Sequence, residues 1–227
     1  MKITFLGHAA VLLEHHDFKA LIDPFLTNNP VYKKDPTHTQ GITHIFVTHG
    51  HGDHVGDTLQ IAKENNAMII ANAELCSLFR RKDKTLKLHP MHIGGAFTFD
   101  FGRVKMTPAV HGSSYQDEDG VHEGGNPGGF LITVDGTSVY HAGDTGLIYD
   151  MKLLEQDEID VAFLPIGGNY TMDINDAIRA VEFIKPKITI PMHYNTFGLI
   201  QADPYIFKGR LLEYRVEILE PGEAIKL

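Results

Sequence analysis

Short β-rich runs alternate with helix–strand units in both halves of the chain, which predicts an α/β (α+β) fold: two mixed sheets with helices on their outer faces, a four-layer αββα sandwich. Three observations carry this expectation. The runs KITFLG, AVLLEH and KALIDPF are separated by Gly7 and a His16–Asp17 turn, a meander ending at Asp23-Pro24. FLITVDGTSVYHAGD places Asp135-Gly136 between two strand-like runs, a strong hairpin signal. Beyond it, helical and strand-like runs alternate as LIYDMKLLEQ, IDVAFLPIG, DINDAIRAVEFIK and KITIPMH.

The remaining elements follow in order. NNPVYKKDPTHTQG is rich in Pro, Asn and Asp and reads as an exposed excursion, and ITHIFVT as a strand running into a histidine-rich stretch. DTLQIAKENN reads as a helix, with Asp57 at its N-cap and Gln60 completing a capping box. AMIIAN is a strand and AELCSLFRRK a helix; Thr85 to Ala109 gives successive strands turning at Phe101-Gly102. DPYIFKGRLLEY is a helix opening on Asp203 and Pro204 at N-cap and N1, and RVEILEPGEAIKL gives two short strands around Pro221-Gly222. No linker, low-complexity segment or visible repeat interrupts the chain, so residues 1–227 are expected to form one domain, with two similar halves compatible with the pattern.

Composition narrows the function. The chain has 227 residues, 43% of them hydrophobic and 22% charged, enough apolar material for a sizeable core. A net charge of -9 argues against an electrostatic grip on nucleic acid or on an anionic membrane. The single cysteine, Cys76, forms no internal disulfide and reads as a packing residue. The N-terminal stretch is a poor signal peptide and no run reaches membrane-spanning length, so a cytoplasmic protein acting on a small molecule is expected.

The stretch THGHGDHVGD carries the chemistry. His49, His51, Asp53 and His54 fall within six residues, between a strand and a helix. His49 and His51 are two apart at a strand end, and glycines allow the chain to turn and aim Asp53 and His54 at a neighbouring point. Three imidazoles and a carboxylate without thiolate suit zinc first, and also manganese, iron or nickel. Four ligands for what reads as two divalent metal ions call for others downstream. His111, Asp144 and His193 each follow a strand-like run and supply them.

HGHGDH matches H-x-H-x-D-H. Followed by a single His, an Asp and a final His, it resembles the metallo-β-lactamase-fold hydrolases across the whole chain, closest to uncharacterised cytoplasmic metal-dependent hydrolases related to the ascorbate-6-phosphate lactonases. The resemblance implies that His49, His51 and His111 hold a first metal, that Asp53, His54 and His193 hold a second, and that Asp144 bridges them. It also assigns Asp53 the catalytic role of orienting a bridging water. The exported β-lactamases commonly carry a cysteine where this chain has Asp144, which sets antibiotic hydrolysis aside. A nuclease would need a basic face or an inserted recognition domain, an oxygen-reducing relative a flavin domain, and a glyoxalase-type thioesterase an extra helical domain.

Two cations about 3.5–4 Å apart acidify a shared water and polarise a carbonyl or phosphoryl oxygen. No Ser-His-Asp or Cys-His arrangement is evident, so the expected reaction is direct hydrolysis of a small ester, lactone or phosphodiester, with no covalent enzyme intermediate. The contrasting reading is a regulatory or scaffold protein that binds metal without turnover; the full set of seven ligands speaks against it. Asp23, His8 and His141 are candidates to orient ligands or line the substrate lip, with structural roles as the alternative. Tyr194 and Asn195, and Asn169 and Tyr170, sit at strand ends as candidate substrate contacts. The glycine-rich loop 124–129 precedes a strand and lacks the lysine of a phosphate cradle, so it reads as a flexible loop near the site. Whether the chain forms a homo-oligomer is left open by the sequence.

Overall fold

The N-terminal meander forms as its apolar runs require. In a computed structural model that describes residues 1–227, β1 (Lys2–Gly7), β2 (Ala10–His15) and β3 (Phe18–Ile22) pair antiparallel, with Phe5 opposite Val11 and Val11 opposite Ile22. Helix-forming segments then carry the chain through three parallel additions: β4 (His44–Phe46), β5 (Met68–Asn72) and β6 (Lys87–Met91). The C-terminal β15 (Ala224–Lys226) closes the other edge against β1, giving the order β15-β1-β2-β3-β4-β5-β6. Three helices accompany this sheet: α1 (Gly52–Val55), α2 (Thr58–Asn65) and α3 (Ala73–Lys82).

These elements belong to a first unit of Met1–Ile93, Gly112–Pro127 and Glu220–Leu227. Its core gathers Leu6, Leu12, Leu21, Ile45, Ile69 and Phe79 with Cys76, whose thiol burial pushes up to about 11. Cys76 is thus a packing residue, as its apolar neighbours predict.

The second unit comprises Gly94–His111 and Gly128–Leu219. Its sheet has the order β14-β13-β12-β11-β8-β7. The antiparallel strands are β7 (Ala96–Phe99), β8 (Gly102–Pro108), β11 (Gly128–Val134) and β12 (Thr137–His141), and β13 (Val161–Pro165) and β14 (Ile188–Met192) add parallel to β12. Asp135 and Gly136 both take positive φ, 47° and 76°, the geometry of the expected hairpin turn. Helix α4 (Ile174–Ile184) begins where the Asp173 side chain accepts from Asp176 N at 2.9 Å, and α5 (Pro204–Gly209) where Asp203 accepts from Tyr205 N at 2.8 Å.

Several details depart from the sequence reading. The capping box does not form. Asp57 is the N-cap, yet its Oδ2 accepts from Leu26 N (2.9 Å) and Thr27 N (2.7 Å), and Gln60 donates instead to Glu64 Oε1 at 2.8 Å. Tyr149–Asp157 is 3-10 rather than α-helical, α5 stops at Gly209, and the tail has only β15 plus a bridge from Val216 to Thr189. A hairpin of β9 (Ser114–Asp117) and β10 (Gly120–Glu123) in the first unit carries no apolar alternation that would announce it. No helix is long and apolar enough to cross a membrane.

Candidate metal centre

Strand direction decides where the candidate ligands emerge. In the first unit β1 is antiparallel to β2, and β2 to β3, while β4 is parallel to β3; β1, β3 and β4 therefore all run the same way. Their C-terminal ends deliver His8, Asp23 and the Thr48–His54 stretch to one edge of the sheet, the usual place for a site in such a fold.

Asp23 organises that edge. It is fully buried, and its backbone takes the left-handed conformation, φ 46°. Its Oδ1 accepts from Thr48 N (2.8 Å), and its Oδ2 accepts from Thr48 Oγ1 (2.7 Å) and from His54 Nδ1 (2.7 Å). Since the Thr48 hydroxyl proton is used on Asp23, Thr48 Oγ1 faces His49 Nδ1 at 3.0 Å as an acceptor. Both imidazoles thereby carry their proton on Nδ1 and turn an Nε2 lone pair away from the network. The tautomers follow from this polarity. Asp23, a candidate from the sequence to orient ligands, thus contacts His54 and Thr48.

The other side chains of this unit cluster around it. His49 Nε2 and His51 Nδ1 lie 2.9 Å apart. His49 and His54 rings are 4.1 Å apart between centroids. His8, buried and at φ 59°, sets its Nε2 3.1 Å from Asp53 Oδ2; the ligand atoms of His8, Asp53 and His54 all lie within 4.8 Å of one another.

The glycines act differently from the sequence expectation. Neither Gly50 nor Gly52 has positive φ. Gly50 is needed for close approach, since a Cβ there would meet Ser114 O at 2.8 Å. It is Gly56 that takes positive φ, 42°, tight against the Pro24 carbonyl.

In the second unit β8, β12, β13 and β14 all run in one direction, since β11 is antiparallel to both β8 and β12. His111, Asp144 and His193 follow β8, β12 and β14 at the same edge. Asp144 Oδ2 lies 3.5 Å from His111 Nε2 and 3.0 Å from His193 Nε2, so one carboxylate oxygen addresses both imidazoles. Thr145 ties the loops together: its Oγ1 accepts from Val110 N at 3.0 Å, and Gly146 N donates to Val110 O at 3.0 Å. His193 is buried at φ 55°, a strained backbone of the kind that gathers at functional sites. His141 is fully buried, accepts from Gly143 N through Nδ1 at 3.2 Å and stacks on Phe163. It supports the turn that leads to Asp144.

The donor set fits borderline divalent cations. Every candidate ligand is an imidazole nitrogen or a carboxylate oxygen, and the only thiol lies in the first unit's apolar core. Neighbouring nitrogens on one tetrahedral zinc, each about 2.0–2.1 Å from it, lie about 3.3–3.4 Å apart; His49 Nε2 and His51 Nδ1, at 2.9 Å, are within hydrogen-bond distance and would open by about 0.4 Å to share a cation.

The candidate substrate contacts separate. Tyr194 is half-buried beside His193, and Asn169 and Tyr170 are exposed. Asn195 turns its amide inward instead: Nδ2 donates to Ala202 O and Oδ1 accepts from Ala202 N, both at 2.9 Å, closing its loop. The glycine-rich loop is held rather than loose. Asn72 Nδ2 donates to Gly124 O (2.8 Å) and Asn126 O (3.0 Å) while Asn72 Oδ1 caps α3. Thr48, Thr145, Asn72 and Ser113, whose Oγ accepts from Gly50 N at 3.2 Å, escape the sequence reading. The one available signal was for Thr48, a polar residue ending an apolar strand directly before the motif.

The family model described as "Beta-lactamase superfamily domain" matches residues 19–194. A "UPF0173 metal-dependent hydrolase" of Alkaliphilus metalliredigens is 54% identical over 226 residues, covering 98% of each chain. Another, of Carboxydothermus hydrogenoformans, is 53% identical over 230 residues and covers 100% of both. Among solved structures, Igni18, "a novel metallo hydrolase" of the archaeon Ignicoccus hospitalis, superposes with TM-score 0.89 at 35% identity, over 99% of this chain and 97% of that one.

Proposed function

Because the chain belongs to the UPF0173 metal-dependent hydrolases of the metallo-β-lactamase superfamily, we propose that it works as a dinuclear enzyme on a small ester, lactone or phosphodiester. In this reading His49, His51 and His111 hold one divalent cation, Asp53, His54 and His193 a second, and Asp144 bridges them. Zinc is the first choice for this nitrogen and oxygen set, with manganese, iron or nickel able to substitute. When bound, such a pair acidifies a water and polarises the scissile carbonyl or phosphoryl group.

One observation carries the proposal: His54 Nδ1 and Thr48 Oγ1 both meet the buried carboxylate of Asp23, and Thr48 Oγ1 meets His49 Nδ1, so that Nδ1 of both imidazoles is engaged. With Nδ1 engaged in this way, the Nε2 atoms of His49 and His54 are the ones that would face a cation. Carboxylate partners of this type are what orient ligating imidazoles. The single oxygen of Asp144 facing both His111 and His193 supports the bridging role. His8 Nε2, 3.1 Å from Asp53 Oδ2, would steady the Asp53 carboxylate as it ligates the second cation and orients the attacking water.

The test is metal content together with turnover of a chromogenic ester and a chromogenic phosphodiester. Close to two metal ions per chain are expected, with a loss of about a hundredfold or more in kcat/KM for Asp53→Ala. Equal turnover by Asp53→Ala refutes the catalytic assignment; one ion per chain refutes the dinuclear one.

A further inference from the structure

Beside His51, within the first unit, lies a cavity of about 560 Å³, inside the range of about 300–1,000 Å³ typical of small-molecule sites. The α1–α2 segment forms one wall and the start of β9 the other. No lysine or arginine lines it. The one carboxylate on its wall, Asp57, is turned to the backbone N–H groups of Leu26 and Thr27.

The rest of the polar lining is uncharged. Ser114 and Gln116 are two apart on β9 and share its exposed face, while Tyr115 between them points the other way, edge-on to Phe79 at 5.6 Å. Neither Ser114 nor Gln116 spends its side chain on a hydrogen bond within the chain. From the facing wall Gln60 uses its amide N–H on Glu64, so its carbonyl oxygen is left to accept. Leu59 adds an apolar flank.

We propose that this cavity receives an uncharged end of the substrate bearing both a hydrogen-bond donor and an acceptor, such as a primary carboxamide. The inference rests on the reading of His51 as a metal ligand, which places the reacting bond at the cavity's mouth. A carboxamide offers N–H to Gln60 Oε1 and a carbonyl oxygen to Ser114 Oγ or Gln116 Nε2. A carboxylate or phosphate on this wall would meet no lysine or arginine and would face the like charge of Asp57. The substrate is therefore neutral on this side, which favours an ester or lactone over a phosphodiester whose charge extends beyond the scissile group.

The test uses metal-loaded enzyme and three matched 4-nitrophenyl esters whose acyl chains end in a carboxamide, a carboxylate or an ammonium group. The carboxamide ester should be preferred at least tenfold in kcat/KM over both charged esters. Gln116→Ala should cut that preference at least fivefold, chiefly through KM, and Gln116→Glu should move it toward the ammonium ester. Equal rates on the three esters, or an unchanged preference in Gln116→Ala, overturn the proposal. A titration of glutaramide followed by ligand NMR keeps the cavity and the chemistry distinct: saturable binding weakened at least fivefold in Gln116→Ala upholds the cavity even if no ester is cleaved. Cleavage without preference, and without glutaramide binding, removes the cavity alone.

Discussion

At Asp23 one buried carboxylate contacts the imidazole of His54 directly and that of His49 through Thr48, and this makes it the most informative residue to change. Three donors converge on its two oxygens. An amide in its place must set an NH2 group against at least one of them, so Asp23→Asn would release His54 or Thr48 from its present orientation. The left-handed backbone at φ 46° suits Asn, so the substitution leaves the turn intact. Metal affinity should fall about 10–100-fold, the usual cost of losing such a partner, as measured by competition with a chromophoric chelator; an unchanged affinity would show that Asp23 is only structural. A second residue, outside the site, sets a pH limit. Burial lowers the pKa of His44 from 6.5 to about 4. The unfolded chain therefore binds a proton that the folded chain refuses, so this stabilisation is present above about pH 6.5 and is lost as pH falls toward 4. Allowing for partial exposure of the ring, wild type should lose about 1–2 kcal/mol more than His44→Gln between pH 7 and pH 4.5 in urea denaturation. Parallel pH profiles for the two proteins would contradict this.

Among elements, the β9–β10 hairpin depends on neighbours rather than on itself. A two-stranded hairpin is marginal in water, and this one has polar tips. Lys82 at the end of α3 holds it, with Nζ 2.8 Å from Asp117 Oδ2, 2.8 Å from Glu118 Oε1 and 3.3 Å from Asp119 Oδ2, while His122 reaches Asp117 Oδ1 at 2.8 Å. Hydrogen bonds from the Lys82 ammonium hold Asp117 well below the usual carboxylate range, so the strap persists into mildly acidic solution. Lys82→Met should speed amide exchange across 114–123 by about tenfold, read by mass spectrometry; unchanged exchange would mean that backbone pairing suffices. The same hairpin shows why the sequence was only partly legible. Strands whose apolar runs face a core, such as VAFLP in β13, announce themselves. SYQD and GVHE do not, because a lysine far away in sequence stabilises them. Asp57 and Gln60 have the spacing of a capping box, but the backbone of residues 26–27 competes for the Asp57 carboxylate and wins with two donors. Tyr149–Asp157 has an apolar rhythm close to that of an α-helix and settles into 3-10 turns.

On the scale of the whole chain, the candidate ligands could be picked out because strand direction leaves little choice. In each unit the strands that precede candidate residues run the same way, so polar residues just past an apolar run reach a common edge. What the linear pattern could not convey was the wiring behind them, since Asp23 and Thr48 meet only through strand pairing. That wiring connects metal to stability. On the proposed function, a metal that needs several of these side chains would bind the folded chain and not the unfolded one, and so raise its stability by mass action. At a metal concentration a thousandfold above Kd the gain is about 4 kcal/mol per site. For a chain of this size each kcal/mol moves Tm by about 2–4 °C, so loading one site should raise Tm by about 8–16 °C over chelator-treated protein. Asp23→Asn, binding about 10–100-fold more weakly, should forfeit about 1.4–2.7 kcal/mol of that gain at the same metal concentration. Differential scanning calorimetry of both proteins, with and without chelator, reads the difference directly. A Tm indifferent to metal in the wild type would mean that these histidines fold around one another without ligating a cation.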